Sequence, residues 1–487
     1  MAAKSLMFQG TGSDVGKSLL VAGLCRLAAN RGLKVSPFKP QNMSNNAAVT
    51  SDGGEIGRAQ WLQARAARVD ATVHMNPILL KPETSEGSQV IVQGEVYGHA
   101  GARDYQKLKP KLLKAVLESY EHIRNKCDLV LIEGAGSPAE INLRQNDIAN
   151  MGFACATNTP VVLVGDVDRG GVIASLVGTH AILSPEDRSM IAGFLINKFR
   201  GDISLFDEGL KEIINRTEWQ SFGICPWFDQ ASLLPAEDSV SLQSAKPTTS
   251  GTIKIAIPII SRIANFDDFD PLIAEPDVDV MMVEPGTALP GDADLIILPG
   301  SKSTIGDMEH LYANGWDIDI HAHVRRGGHV LGICGGYQML GNQILDPDRI
   351  EGLQTQVKGL GLLDIETTLA PHKTVRNVTA KSIAHNTGIT GYEIHMGQTK
   401  GPDTNMPMLT INNKPDGATS PNGLITGCYM HGLFTSDAFR RKFLSTLGAS
   451  LENSPDYNKS IDSTLDNLAA HLEENLDVDG LFEAASK

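Results

Sequence analysis

Twice along this chain, short β-branched or apolar runs alternate with amphipathic stretches of helical length. That pattern confines the fold to the α/β class, because parallel strands need long crossover connections and helices covering both sheet faces supply them. In the first run, strands are expected at 6–8, 34–36, 129–132, 161–164 and 191–196; in the second, at 253–257, 278–283, 295–298 and 330–333. Each strand of the first run ends in Gly, Pro, Asp or Asn, where the ligand loops of such sheets sit. Residues 17–30 are predicted as the first helix, closed by Gly32. The expectation is two doubly wound domains, 1–228 with a mainly parallel sheet and 252–448, joined by a polar, Pro/Gly/Ser-rich linker at 229–251. A tail at 449–487 places Leu465, Leu468, Leu472 and Leu476 at helical spacing. It is either one amphipathic helix packed back on the body or a solvated extension.

With 487 residues, 41% of them hydrophobic, each domain can bury a core of its own. The formal charge of −15 would repel nucleic acid and anionic lipid, so neither is expected as a partner, and an anionic substrate must be held by local donors. Much of that excess sits at 447–487, which carries nine acids against two bases. Six cysteines without a C-x-x-C pair fit reduced thiols. The sequence has no signal-peptide pattern and no apolar run of the roughly 18 residues that a membrane span needs. A cytoplasmic protein is expected.

Directly after the first strand comes Gly10-Thr-Gly-Ser-Asp-Val-Gly-Lys17-Ser18. A bound phosphate needs glycines that let the backbone approach, N–H groups at a helix start, a lysine for the outer oxygens and a hydroxyl for Mg²⁺. Thr11, Gly12, Gly16, Lys17 and Ser18 supply these parts, although strict phosphate-loop spacing would put glycine where Thr11 stands. Mg²⁺ also calls for carboxylates at neighbouring strand ends. The candidates are Asp52, in Thr50-Ser-Asp-Gly-Gly-Glu55, and Glu133, which follows the strand at 129–132. Asp52 could equally be an ordinary turn aspartate. Lys39 can reach the same phosphates or face water.

In the second domain, His329-Val-Leu-Gly-Ile-Cys334-Gly-Gly-Tyr-Gln-Met-Leu340 runs a strand into a cysteine, two glycines and a helical stretch. This is the pattern of a nucleophile elbow, which holds a reactive side chain above the sheet. The thiol needs a base. His431, in Cys428-Tyr-Met-His-Gly-Leu-Phe434, sits at an element end, and His395 is a second candidate, whereas His321 and His323 are expected on a surface helix. Backbone N–H groups around Gly300-Ser301 and of Gly335 could form an oxyanion hole.

These segments together resemble known enzymes. The second domain is similar to the class I, or triad, glutamine amidotransferases, and the first to the phosphate-loop domain of the dethiobiotin synthetase type. In this order they resemble the cobyric acid synthase family, through Phe38-Lys-Pro-Gln-Asn-Met43, Asp52-Gly-Gly-Glu-Ile-Gly-Arg-Ala-Gln60, Glu133-Gly-Ala-Gly-Ser-Pro-Ala-Glu-Ile-Asn-Leu143, Leu234-Pro-Ala-Glu-Asp-Ser239, the Cys334 elbow and Gly391-Tyr-Glu-Ile-His-Met-Gly397. The resemblance implies an ATP- and Mg²⁺-dependent ligase that uses glutamine to amidate the b, d, e and g carboxylates of adenosylcobyrinic acid a,c-diamide, with Cys334 as nucleophile and His431 as catalytic histidine. Leu433 stands where the wider triad class has a glutamate, so only a Cys–His pair is expected. Arg58, Lys81, Arg144 and Arg169 are candidate cations for the corrinoid carboxylates. The rival readings are a cobyrinic acid a,c-diamide synthase, which would amidate other carboxylates, and a non-amidating phosphate-loop switch protein.

Overall fold

The computed structural model describes residues 3–83, 87–237, 252–449 and 453–485. β1 (Lys4–Gly10) and β2 (Val35–Phe38) belong to a six-stranded, all-parallel sheet. Across it the order is Gln220–Pro226, Ile191–Phe199, Val161–Asp166, β1, Leu129–Glu133 and β2. β1 is central, so the loop after it opens between the ends of its two neighbours, the topological switch point at which α/β sheets bind ligands. Helix α1 (Lys17–Asn30) starts after Gly16, whose φ of 91° a side chain would resist.

The second sheet runs Val278–Val283, Ile253–Pro258, Leu295–Leu298, His329–Ile333, Ile425–Cys428 and Ala418–Thr419, parallel except at the last strand. Beside it stands a mostly antiparallel sheet built on the long hairpin Glu366–Ser382 and Gly388–Lys400, which sequence periodicity did not reveal. The first domain also carries an added sheet containing Ile78–Pro82. Leu79 and Ile91 of this sheet, with Ala47 and Val49 of the separate strand Ala47–Val49, form a small apolar cluster with Tyr392 and Ile394 of the hairpin. The two domains therefore meet through packed side chains.

Most of the expected linker lies outside the described residues, but Pro235, Ala236 and Glu237 run into the first domain: Ala236 O accepts from Asn46 Nδ2 at 3.0 Å. The acidic tail forms two helices, Tyr457–Asn475 and Val478–Ala484, instead of one: Leu465, Leu468 and Leu472 of the first are buried against α1, whereas Leu476 ends it in extended backbone. Gly23 makes the close approach possible, since a Cβ there would lie 2.5 Å from Leu472. Each buried leucine contributes about 1.5–3 kcal/mol, whereas a surface ion pair contributes about 0–1 kcal/mol. The leucines hold this helix, and pairs such as Arg26–Asp462 at 2.7 Å and Arg65–Asp462 at 2.9 Å select its register. The tail's charge is thus complementary to a basic face of the body.

Candidate active sites

The loop after β1 is pinned from three sides. Thr11 N donates to Val164 O at 3.0 Å, Asn197 Nδ2 to Val15 O at 2.8 Å, and Lys198 Nζ to Asp14 O. Gly10 has no room for a side chain: a Cβ there would lie 2.6 Å from Gly12 O and 2.8 Å from Lys17 Nζ. Lys17 is buried and donates to the carbonyls of Gly12 and Gly136, each at 3.3 Å. Burial lowers its pKa, as does the nearby Lys39 charge, against the pull of Glu133 and Glu237.

Beside the lysine, Ser18 Oγ lies 2.8 Å from Glu133 Oε1 and 2.5 Å from Glu237 Oε2. Lys39 Nζ donates to both carboxylates at 2.7 Å. Burial works against the Lys39 charge, but the two acids outweigh it and hold the ammonium protonated. The other oxygen of Glu133 accepts from Gln63 Nε2 at 2.6 Å and Gln60 Nε2 at 3.3 Å, both on helix α2 (Arg58–Ala66). Two carboxylates and a hydroxyl, hard oxygen donors of the kind Mg²⁺ takes, thus converge beside the loop. Among the described residues no group of three or more His, Cys, Asp or Glu could hold a metal ion.

Asp52 is not brought to this cluster. It is exposed on the turn after the strand Ala47–Val49, and its carboxylate accepts from Val73 N at 3.2 Å at the start of a short helical turn. The second acid at Ser18 is instead Glu237, which sequence reasoning placed in a linker. Its signal was an acid in an apolar Leu-Leu-Pro-Ala-Glu context.

In the second domain Cys334 joins the strand His329–Ile333 to the short helix Gly335–Met339 with φ 53° and ψ −109°. That conformation costs a non-glycine residue about 1–3 kcal/mol. The turn closes only because its glycines are bare: a Cβ on Gly336 would lie 2.1 Å from Leu298 O, and one on Gly335 2.9 Å from Ser301 N. Gly300, Ser301, Gly335, Cys334, His395 and His431 line one cleft.

His431 is buried, with Nδ1 2.7 Å from Asp268 Oδ2, in the cleft that Cys334 also lines; the Cys334 thiol donates to Ile394 O at 3.4 Å. Gly432 N donates to Asp268 Oδ1 at 2.6 Å, so both carboxylate oxygens are used in holding this histidine. Burial alone would lower the His431 pKa; Asp268 and the Cys334 sulfur outweigh it and push it up to about 10. The Tyr392 ring stacks on the imidazole at 5.2 Å between centroids. His395 lines the cleft too, but burial and the His431 charge push it down to about 4, and it stacks on Tyr429 instead of facing a carboxylate at hydrogen-bond distance. His323, expected on a surface, is buried with Nε2 3.0 Å from His329 O.

The Cys–His pair expected from sequence did not include the carboxylate that stands beside His431. Leu433 is a core residue, and the carboxylate comes from Asp268, 163 positions upstream of the histidine. The available signal was Asn265-Phe-Asp-Asp-Phe-Asp270, three acids interleaved with aromatics. The four cations proposed for the corrinoid are already paired: Arg58 with Asp267, Lys81 with Glu55, Arg144 with Asp187 and Arg169 with Asp14. Arg58 and Lys81 are buried as well.

Residues 6–242 match the CobQ/CobB/MinD/ParA nucleotide binding domain, and residues 254–439 the CobB/CobQ-like glutamine amidotransferase domain. The cobyric acid synthase of Brucella anthropi is 62% identical over 99% of this chain and 99% of its own length. This chain belongs to the cobyric acid synthase family. The cobyric acid synthase of Rhizobium rhizogenes is 63% identical, over 97% of this chain and 98% of that protein. A structure of PurLQS from Thermotoga maritima matches 44% of the chain at 17% identity with a TM-score of 0.30. Membership of the cobyric acid synthase family accounts for both halves at once, as a nucleotide switch alone does not, and makes the chain a glutamine-dependent amidating ligase of vitamin B12 biosynthesis. Among the described residues no helix is long and apolar enough to cross a membrane.

Proposed function

We propose that this enzyme converts adenosylcobyrinic acid a,c-diamide to adenosylcobyric acid, amidating the b, d, e and g carboxylates with nitrogen from glutamine. The observation that carries the hydrolytic half is the Cys334–His431–Asp268 arrangement at a strained strand-to-helix turn. Cys334 Sγ attacks the glutamine carboxamide carbon, and backbone N–H groups of Gly335 and of the Gly300–Ser301 turn face the oxygen on which charge develops. His431, kept protonated by Asp268, gives its proton to the departing ammonia, then takes one from the water that cleaves the thioester and frees glutamate.

In the first domain ATP supplies the γ-phosphoryl group that turns a corrinoid carboxylate into an acyl phosphate, a species that ammonia attacks with loss of phosphate. Thr11, Gly12 and Gly16 cradle the phosphates, and Lys17 neutralises charge on the transferred group. Ser18, Glu133 and Glu237 would hold Mg²⁺, and Lys39 balances the two acids. Six unpaired cysteines suit a reducing compartment, and we read the enzyme as cytoplasmic.

The test is incubation with glutamine, ATP, Mg²⁺ and one of two corrinoids, cobyrinic acid or adenosylcobyrinic acid a,c-diamide. Amide formation on the second only is expected; amidation of the first would assign the chain to the sibling reaction instead.

Two narrower outcomes follow from the geometry. Asp268→Asn should lower kcat for glutamine hydrolysis by about 10²–10⁴-fold, the range for a carboxylate that orients a catalytic histidine. It should also move the alkaline limb of the pH profile down from near 10, because the lost carboxylate is what raises the imidazole. An unmoved limb would count against Asp268. Glu237→Gln should raise the Mg²⁺ concentration for half-maximal amidation by about 10-fold or more, with Asp52→Asn near the parent value. A magnesium titration of the two variants separates them, and the reverse ranking would restore Asp52.

A further inference from the structure

Arg58 opens helix α2 in the nucleotide domain, yet its guanidinium reaches into the amidotransferase domain. Nη2 pairs with Asp267 Oδ2 at 2.8 Å, donates to Ala47 O at 3.2 Å and donates to the Tyr392 hydroxyl. Asn265 donates from Nδ2 to the same Ala47 carbonyl and to the same hydroxyl, each at 2.8 Å. The loop that carries Asp268 and the strand that carries Tyr392 are thus tied to the first domain at one point. These two residues are also the ones that fix the His431 imidazole, Asp268 at Nδ1 and the Tyr392 ring on its face. Tyr392 and His431 exchange backbone hydrogen bonds as well, at 3.2 and 2.8 Å.

Burying a guanidinium is costly unless it is paired and hydrogen-bonded. Here the cost is met at a place where its loss would be felt by the histidine. Burial pushes the Asp267 carboxyl up to about 6 even with Arg58 beside it, and Asp268 adds to the rise. Without the cation, Asp267 either loses its charge or repels the neighbouring Asp268. Gln60 and Gln63 of the same helix donate to Glu133, so the helix that starts at Arg58 also touches the acid beside Ser18.

We propose that Arg58 is a positioning residue for glutamine hydrolysis supplied by the nucleotide domain, holding Asp267 and Tyr392 so that Asp268 and the Tyr392 ring fix His431. This rests on the reading of Cys334, His431 and Asp268 as the hydrolytic centre. Arg58 acts through its neighbours and touches no reacting atom.

The experiment compares full-length Arg58→Ala, Arg58→Lys and Cys334→Ser for glutamine hydrolysis and for amidation with glutamine or ammonium. Arg58→Ala should lower kcat for hydrolysis by about 10–10²-fold, the size of effect that a misplaced catalytic group produces, with KM for glutamine within about threefold. Ammonium-dependent amidation should stay within about twofold of the parent. Arg58→Lys keeps the charge on Asp267 and loses the fork, so part of kcat should return. Parent-level kcat in Arg58→Ala, or equal loss with both donors in both variants, overturns the proposal. If Arg58→Ala does not fold, Tyr392→Phe takes its place, since it removes only the hydroxyl that Arg58 and Asn265 reach. A kcat lowered by about threefold or more at unchanged KM supports the proposal, and parent-level kcat overturns it. Glutamine hydrolysis surviving in Cys334→Ser would instead overturn the hydrolytic reading beneath it.

Discussion

Cys334→Ser should abolish glutamine-dependent amidation, by about 10³-fold or more, and leave ammonium-dependent amidation intact. A serine hydroxyl fits the space of the thiol, so the elbow can still form. What is lost is the nucleophile: beside His431, which Asp268 holds protonated, sulfur can carry the negative charge and a serine oxygen cannot. Externally supplied ammonia bypasses this step because the acyl phosphate forms in the other domain. Survival of both activities would make Cys334 structural and remove the amidotransferase half of the account.

The second large effect is expected at Lys17. Lys17→Ala should reduce amidation by about 10²-fold or more with either donor, while glutamine hydrolysis persists. The Lys17 ammonium has two backbone carbonyls as acceptors and, among the described residues, no carboxylate within hydrogen-bond distance, unlike Lys39, which is locked between Glu133 and Glu237. Of these two lysines, Lys17 is the one that can follow phosphate oxygens without leaving a carboxylate. Amidation at parent level in this variant would reject the phosphate-loop assignment, and loss with glutamine alone would place Lys17 in nitrogen delivery.

The parts of both sites that could be read in sequence sit at the ends of apolar strand runs: Lys39, Glu133 and His431 end or follow one, and the others lie on a strand-turn-helix segment that such a run opens. Lys17 and Ser18 follow β1 directly, and Cys334 follows His329–Ile333, so apolar run, glycines and reactive side chain fall within a dozen residues of one another. Asp268 and Glu237 approach from elsewhere, 163 and 219 residues from His431 and Ser18, on segments without strand or helix periodicity. Asp52 misled for the opposite reason. An acid in a glycine-rich turn looks available for a metal, but the backbone N–H of Val73, 21 residues further on, already donates to it. The tail shows the same limit. Its leucine spacing was visible, whereas the basic residues on α1 and α2 that receive its acids lie hundreds of positions away.

The most direct test of a single chain that joins nitrogen release at Cys334 to carboxylate activation at the phosphate loop is a product count in one reaction. Glutamate, ADP and new corrinoid amide are expected in equal amounts at every time point. Glutamate formed without matching ADP in the presence of all substrates, or AMP and pyrophosphate in place of ADP and phosphate, would contradict it.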